Sequence, residues 1–261
     1  RLAQKVKPII KIYGSKMQTG LFLQRLVLLS FRRYRYVVPH ETIQNAQESL
    51  AATEESGELS QIAFARFVLG FASLWYGYRG DLEAAENHLQ AALEQAVQLG
   101  DVVLQCRCLC FLALTNRKKG QIAKAQELLP SALATAEQCG LPEYIANVRG
   151  NIAWIAWRDG NLVEAQKQGQ AALAAVQQYL LPTPMNWLAH WPLLGVAVTN
   201  GETPAAIAHA LAILDPSQVR MPDEITAVLQ QAISTWENNQ PDIARIHLDE
   251  LLQIAQTYNY L

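Results

Sequence analysis

The residues of this 261-residue chain that could do chemistry are four cysteines, five histidines and a group of tryptophans and arginines. Cys106, Cys108 and Cys110 alternate as C-x-C-x-C, with Cys139 apart. On a helix Cys106 and Cys110 share a face and Cys108 turns away. That suits neither tetrahedral zinc ligation nor a disulfide framework. The ordinary reading is small buried apolar residues in a reducing compartment. His40, His88, His190, His209 and His247 are scattered along the chain and read as surface or partly buried residues rather than ligands. A phosphate loop needs GxxxxGK[ST], and "YGSK" at residues 13–16 lacks the first glycine. Neither G-x-G-x-x-G nor H-E-x-x-H occurs. Ser73 and Ser234 have no base close by in sequence and sit in no GxSxG elbow. The paired acids Glu54 and Glu55 precede Gly57, on what reads as a solvated helix end. Nothing here points to catalysis, to a cofactor or to a metal, and the expectation is a protein that is not an enzyme. What remains is "NIAWIAWRDG" at residues 151–160, with Trp154, Trp157 and Arg158. Either these form an aromatic and basic binding patch, or the two indoles, three residues apart, wedge into one seam between helices.

The elements that must carry these residues are helical. With 51% hydrophobic and 17% charged residues, the chain can bury a large core and is no disordered tail. The most apolar stretch, Leu21 to Phe31, is about half the roughly 20 residues a membrane-spanning helix needs, and Arg25 interrupts it. It reads as a buried amphipathic helix. In "EAAENHLQAALEQAVQL", Ala85, Leu89, Ala92, Leu93 and Val97 form one helical stripe, and no run alternates long enough to argue for a sheet.

The chain repeats itself. "RGDLEAAENHLQAAL" begins at Arg79, "KGQIAKAQELLPSAL" at Lys119 and "RDGNLVEAQKQGQAAL" at Arg158. Gly80, Gly120 and Gly160 are therefore 40 residues apart, each followed five residues later by an alanine (Ala85, Ala125, Ala165). Weaker copies centre on Gly201 and on Asn239, which stands at the glycine position. Gly100 and Gly140 fall midway, so each unit is two helices with a turn at either end. The glycine leaves a helix C-terminus, where a left-handed residue is often required, and asparagine is the next best choice. The alanine is small because two helices cross closely there. Pro204 and Pro241 open the second helices of their units, where a missing N–H costs nothing. A hairpin of this kind cannot bury its apolar face alone, so stacked units share a core.

These residues resemble the tetratricopeptide repeat family. One unit supplies Ala72, Ser73, Tyr76, Gly80, Asp81, Ala85, Ala92 and Leu93; the next supplies Leu112, Ala113, Gly120, Ala125, Ala132 and Leu133; a third supplies Ile152, Ala153, Gly160, Asn161, Ala165, Ala172 and Leu173. The family period is 34 residues, against 40 here, and the closing proline of the family pattern is missing. Units of this length are similar to the helical sensor region of MalT-type and LuxR-type multidomain bacterial regulators. The resemblance implies an all-α, right-handed superhelix of five or six helical hairpins. The expected divisions are 1–14 as a basic linker or the end of an upstream domain, 15–57 as a degenerate hairpin, and repeats at about 58–99, 100–139, 140–180, 183–216 and 222–261. It also implies a cytoplasmic, non-enzymatic interaction or sensing domain. Its partners would be a peptide, a partner protein or a small-molecule inducer, and the upstream domain of a longer chain, as the start at Arg1 also suggests. The alternative is a self-association arm of a multidomain ATPase or regulator.

The resemblance also implies which residues face the groove. For the third unit these are Trp157, Trp154, Asn151 and Asn147, with Arg158 beside them; for the second, Arg117, Leu114, Phe111 and Arg107, with Lys118 alongside. Arg107, Arg117, Lys118 and Arg158 would hold a carboxylate or other anion, and the aromatics would pack against the rest of the ligand. Asn147 and Asn151, one turn apart, would hydrogen-bond an extended peptide backbone. Arg158 could instead complement a helix C-terminus. Finally, residues 1–40 carry nine Lys or Arg and no acid, leaving twelve bases against twenty-three acids in the remainder. An acidic body repels phosphate, so a neighbouring domain is the expected partner of the basic tract rather than nucleic acid, and no membrane contact is expected.

Overall fold

Each forty-residue glycine sits where a helix must stop and the next must start. In the computed structural model, which describes residues 2–177, 179 and 183–261, Gly80, Gly120 and Gly160 have φ of 78°, 71° and 75°, and Asn239 takes the same left-handed conformation at 55°. The polar residue after the glycine then caps the following helix. The Asp81 carboxylate accepts from Ala84 N at 3.1 Å and the Asn161 side chain from Glu164 N at 3.1 Å. Gln121, one methylene longer, makes no such cap.

The helices among the described residues are α1 (Leu2–Tyr13), α2 (Lys16–Arg33), α3 (His40–Ser56), α4 (Leu59–Leu74), α5 (Leu82–Leu99), α6 (Val102–Lys118), α7 (Ile122–Cys139), α8 (Pro142–Arg158), α9 (Leu162–Val176), α10 (Trp187–Thr199), α11 (Thr203–Leu214), α12 (Asp223–Glu237) and α13 (Pro241–Thr257). They pack mainly as consecutive antiparallel pairs, giving an all-α array of tetratricopeptide-like hairpins. Pro204 and Pro241 lie in the first turns of α11 and α13. None of the described helices is long and apolar enough to cross a membrane. The last positions of the expected 140–180 repeat include residues 178 and 180, which lie outside the described residues, as does Arg1.

The chain divides into two units, Arg1–Thr115 and Asn116–Leu261. In the first, α2 pairs with α3 and α4 with α5. "YGSK" is not a ligand loop: Ser15 caps α2 in a reciprocal box with Gln18. The basic tract is answered by α3, where Lys11 meets Glu48 at 2.6 Å, Lys16 meets Glu55 at 2.7 Å and Lys7 donates to Asn45. All three cysteines of the C-x-C-x-C run are buried, not only the pair on one face, because α6 is enclosed on more than one side. Burial pushes the Cys108 thiol up to about 12. In the second unit, α8 packs with α7, α9 and α10, and small residues allow close crossings. A Cβ on Gly150 would come within 2.9–3.1 Å of Leu188 and Ala189. Ala165 is wholly buried, as its place in the repeat requires.

Candidate functional site

In the unit Asn116–Leu261, Arg117 ends α6 with its side chain wholly buried. A guanidinium carries five donors in a fixed plane and must find acceptors when removed from water. Its Nε donates to the Asn259 main-chain oxygen at 3.1 Å, Nη2 to that of Tyr260 at 2.7 Å and Nη1 to Asn151 Oδ1 at 3.1 Å. Its plane lies 4.7 Å from the Trp154 ring centroid and 5.5 Å from that of Trp187. Arg158 adds a second cation 5.2 Å from Trp154 and donates to the Leu261 main-chain oxygen at 3.0 Å. Three consecutive main-chain oxygens, 259 to 261, thus each accept from an arginine.

The segment they hold is shaped by its own turn. Asn259 has φ 54°, and the amides of Tyr260 and Leu261 return to Ala255 O at 2.9 and 3.4 Å. Asn259 Nδ2 donates to Lys118 O at 3.3 Å, and the Tyr258 hydroxyl donates to Glu224 at 3.0 Å. The Tyr260 ring stacks on Trp191 at 5.6 Å and meets Trp187 edge-on at 5.2 Å. Tyr260 and Leu261 are both buried. The Arg117 guanidinium is pulled down to about 9, chiefly by burial, with Tyr260 opposing the shift and the neighbouring Arg158 adding to it. The half-buried Lys118 ammonium is pushed down to about 8 by burial.

The sequence-expected residues divide as follows. Arg117, Asn151, Trp154 and Arg158 are brought together, and Lys118 contributes its main-chain oxygen. The amide of Asn151 is directed inward, its Nδ2 bonding Asn147 O at 2.9 Å and its Oδ1 accepting from Arg117, so it orients the arginine rather than facing a peptide. Asn147 is buried. Trp157 packs in the seam toward α10, where a Cβ on Gly195 would lie 2.5 Å from the indole nitrogen. Arg107 and Phe111 belong to the unit Arg1–Thr115. There Arg107 lies 5.7 Å over the Phe64 ring, and Phe111 packs against Phe71 at 4.4 Å. The sequence reading missed Trp187 and the segment Tyr258–Leu261. A non-helical Tyr-Asn-Tyr-Leu run after the last helix, with two aromatics and a leucine, was the available signal. It also missed that His190 and His209 fall in one hairpin. Their Nδ1 atoms are 3.1 Å apart, and burial lowers both pKa values, that of His190 to about 4. No group of three His, Cys, Asp or Glu side chains among the described residues is placed to hold a metal.

The arrangement is an indole-lined cluster in which a buried and an exposed arginine hold the chain's own main chain at residues 259–261. The class that fold and site define is an all-α helical-hairpin protein whose second unit holds its own segment Tyr258–Leu261 through two arginines. No family model matches the sequence, and no curated protein matches it. Solved structures do match. One is a Rap protein in complex with competence and sporulation factor, at TM-score 0.69 and 14% identity, covering 98% of this chain and 69% of that one. A second is aspartyl phosphate phosphatase F from Bacillus subtilis, at 0.68 and 12%, covering 99% and 65%. A third is the apo form of RapI, at 0.60 and 14%, covering 98% and 68%. At such identities the likeness is one of fold. The chain spans about two thirds of the length of each neighbour.

Proposed function

We propose that this chain is a non-enzymatic protein-interaction domain whose second unit binds a peptide or a peptide segment of a partner protein. The observation that carries the reading is the set of three successive main-chain oxygens held by Arg117 and Arg158. Donors aimed at main-chain carbonyls bind a peptide in the turned conformation that Asn259 to Leu261 take here, and the indoles select its side chains. Two further points support it. A structural neighbour, the Rap protein, was solved in complex with competence and sporulation factor. The groups that hold the segment's three main-chain oxygens and the Tyr260 ring are guanidinium and indole, which bind but supply neither nucleophile nor base. The phosphatase name belongs to the second neighbour. The finer reading, a sensing arm of a larger bacterial signalling or transcriptional regulator of the MalT type, rests on repeat length alone.

The test is selection from a random peptide display library on the protein, followed by affinity measurements on Arg158→Ala and Trp191→Phe variants. Enriched peptides should lose at least tenfold in affinity on one or both. Peptides that bind all forms alike would sink the reading. A second reading, self-association, draws on exposed apolar side chains of the second helices: Val163, Leu211 and Ile246 are 79%, 50% and 63% exposed. It predicts a dimer by light scattering that Val163→Glu and Ile246→Glu break apart.

A further inference from the structure

We infer that the segment Tyr258–Leu261 is a displaceable internal ligand of this site, and that the site's external ligands are peptides carrying an aromatic residue followed by an aliphatic one. This rests on the peptide-binding reading above and goes beyond it by naming the ligand class and the competitor that regulates access.

The segment's fixed points are main-chain oxygens on Arg117 and Arg158, one ring on Trp191 and Trp187, and one buried leucine. None of these contacts requires the segment to be covalently continuous with α13. A separate peptide with the same two side chains presents the same groups. Continuity contributes concentration: a short tether holds its ligand at an effective concentration on the order of millimolar. The internal ligand also leaves the site incompletely satisfied. The indole nitrogens of Trp154 and Trp191 are buried and have no acceptor among the described residues. An external peptide that carries an acceptor to either indole satisfies what the segment leaves unpaired. Its attachment is therefore good enough to close the site and poor enough to be replaced.

The segment also fixes specificity. Tyr260 stacks flat on Trp191 with an interplanar angle of 19° while standing at 83° to Trp187, a corner that takes a planar ring and rejects a branched aliphatic side chain. Leu261 is fully buried beyond it, so a charged residue there would be desolvated without a partner.

The test uses a fluorescein-labelled Tyr-Asn-Tyr-Leu peptide and fluorescence anisotropy. The variants are Leu261→Ser, the milder, and Tyr260→Ala combined with Leu261→Ser, each checked for a cooperative thermal transition. Both should bind the peptide at least tenfold more tightly than the unaltered protein, and Arg117→Gln added to either should remove that gain. In the unaltered protein, saturating peptide should speed amide exchange at Tyr260 and Leu261 at least tenfold, a readout independent of any variant's folding. Equal binding by unaltered and opened forms, binding with no change in exchange, or no binding to any form would each overturn the inference. If library peptides still depend on Arg158 or Trp191 in that last case, the peptide-binding reading stands and only the internal-ligand claim falls.

Discussion

In Arg1–Thr115 the rings of Phe31, Tyr36, Phe67, Phe71, Trp75 and Phe111 pack on one another at centroid distances from 4.4 to 6.2 Å, with Arg107 over Phe64 at their margin. In Asn116–Leu261 the rings of Trp154 and Trp187 face a guanidinium that is wholly buried and hydrogen-bonded to main chain, and the Tyr260 ring packs on Trp187 and Trp191. Both regions are aromatic, but the first gains its stability from ring area alone. The second binds a cation at a desolvation cost, which only a full set of acceptors offsets. A cluster of the first kind closes a core. In one of the second kind, stability depends on what supplies the acceptors.

Four measurements break or sharpen that contrast. Phe71→Ala should cost about 4 kcal/mol in urea denaturation, and Phe71→Leu less than about 1.5, since a ring cluster asks only for apolar volume. A smaller loss for Phe71→Ala than for Phe71→Leu would show that the first cluster is not a core. The next effect is of pH. His190 and His209 face one another with their Nδ1 atoms 3.1 Å apart, so whichever accepts must be neutral at Nδ1. Burial lowers His190 from 6.5 to about 4. The unfolded chain therefore takes up protons first. Stability is full above about pH 6.5 and falls as pH drops from there toward 4, by up to about 3 kcal/mol. Melting temperatures across that range should drop in the unaltered protein and much less in His190→Gln.

Arg117→Lys should cost about 2 kcal/mol, because an ammonium cannot reproduce the planar fork that serves Asn151, Asn259 and Tyr260 together. A stability unchanged by lysine would mean that charge, and not the fork, is what the site uses. Arg158→Ala should cost less than about 1 kcal/mol of stability, since Arg158 is exposed, while weakening peptide affinity at least tenfold. That separation of folding from binding is what distinguishes a receptor from a core.

Much of the array was legible in the sequence. The left-handed Gly80, Gly120, Gly160 and Asn239, the caps at Asp81 and Asn161, and the small crossings at Ala85, Ala125 and Ala165 are local requirements, and they repeat. The gathering of Arg117, Asn151, Trp154 and Arg158 follows from the same period, because equal offsets from successive turns place side chains on neighbouring helices. The rest depended on long-range packing. Asn151 turns to its own helix and to Arg117 because a buried amide takes the nearest acceptors. Trp157 lies against α10 because Gly195 leaves room for it. The arrival of Tyr258–Leu261 in the site, over 140 residues along the chain from Arg117, leaves no periodic trace at all.

The most direct test of the central claim is a ¹⁵N-indole spectrum of the protein's six tryptophans during titration with the tightest library peptide. The account predicts that the Trp154, Trp187 and Trp191 signals shift together and saturate together, while Trp75, in the ring cluster of the first unit, stays still. A saturating shift at Trp75 with the three site indoles unmoved would contradict it.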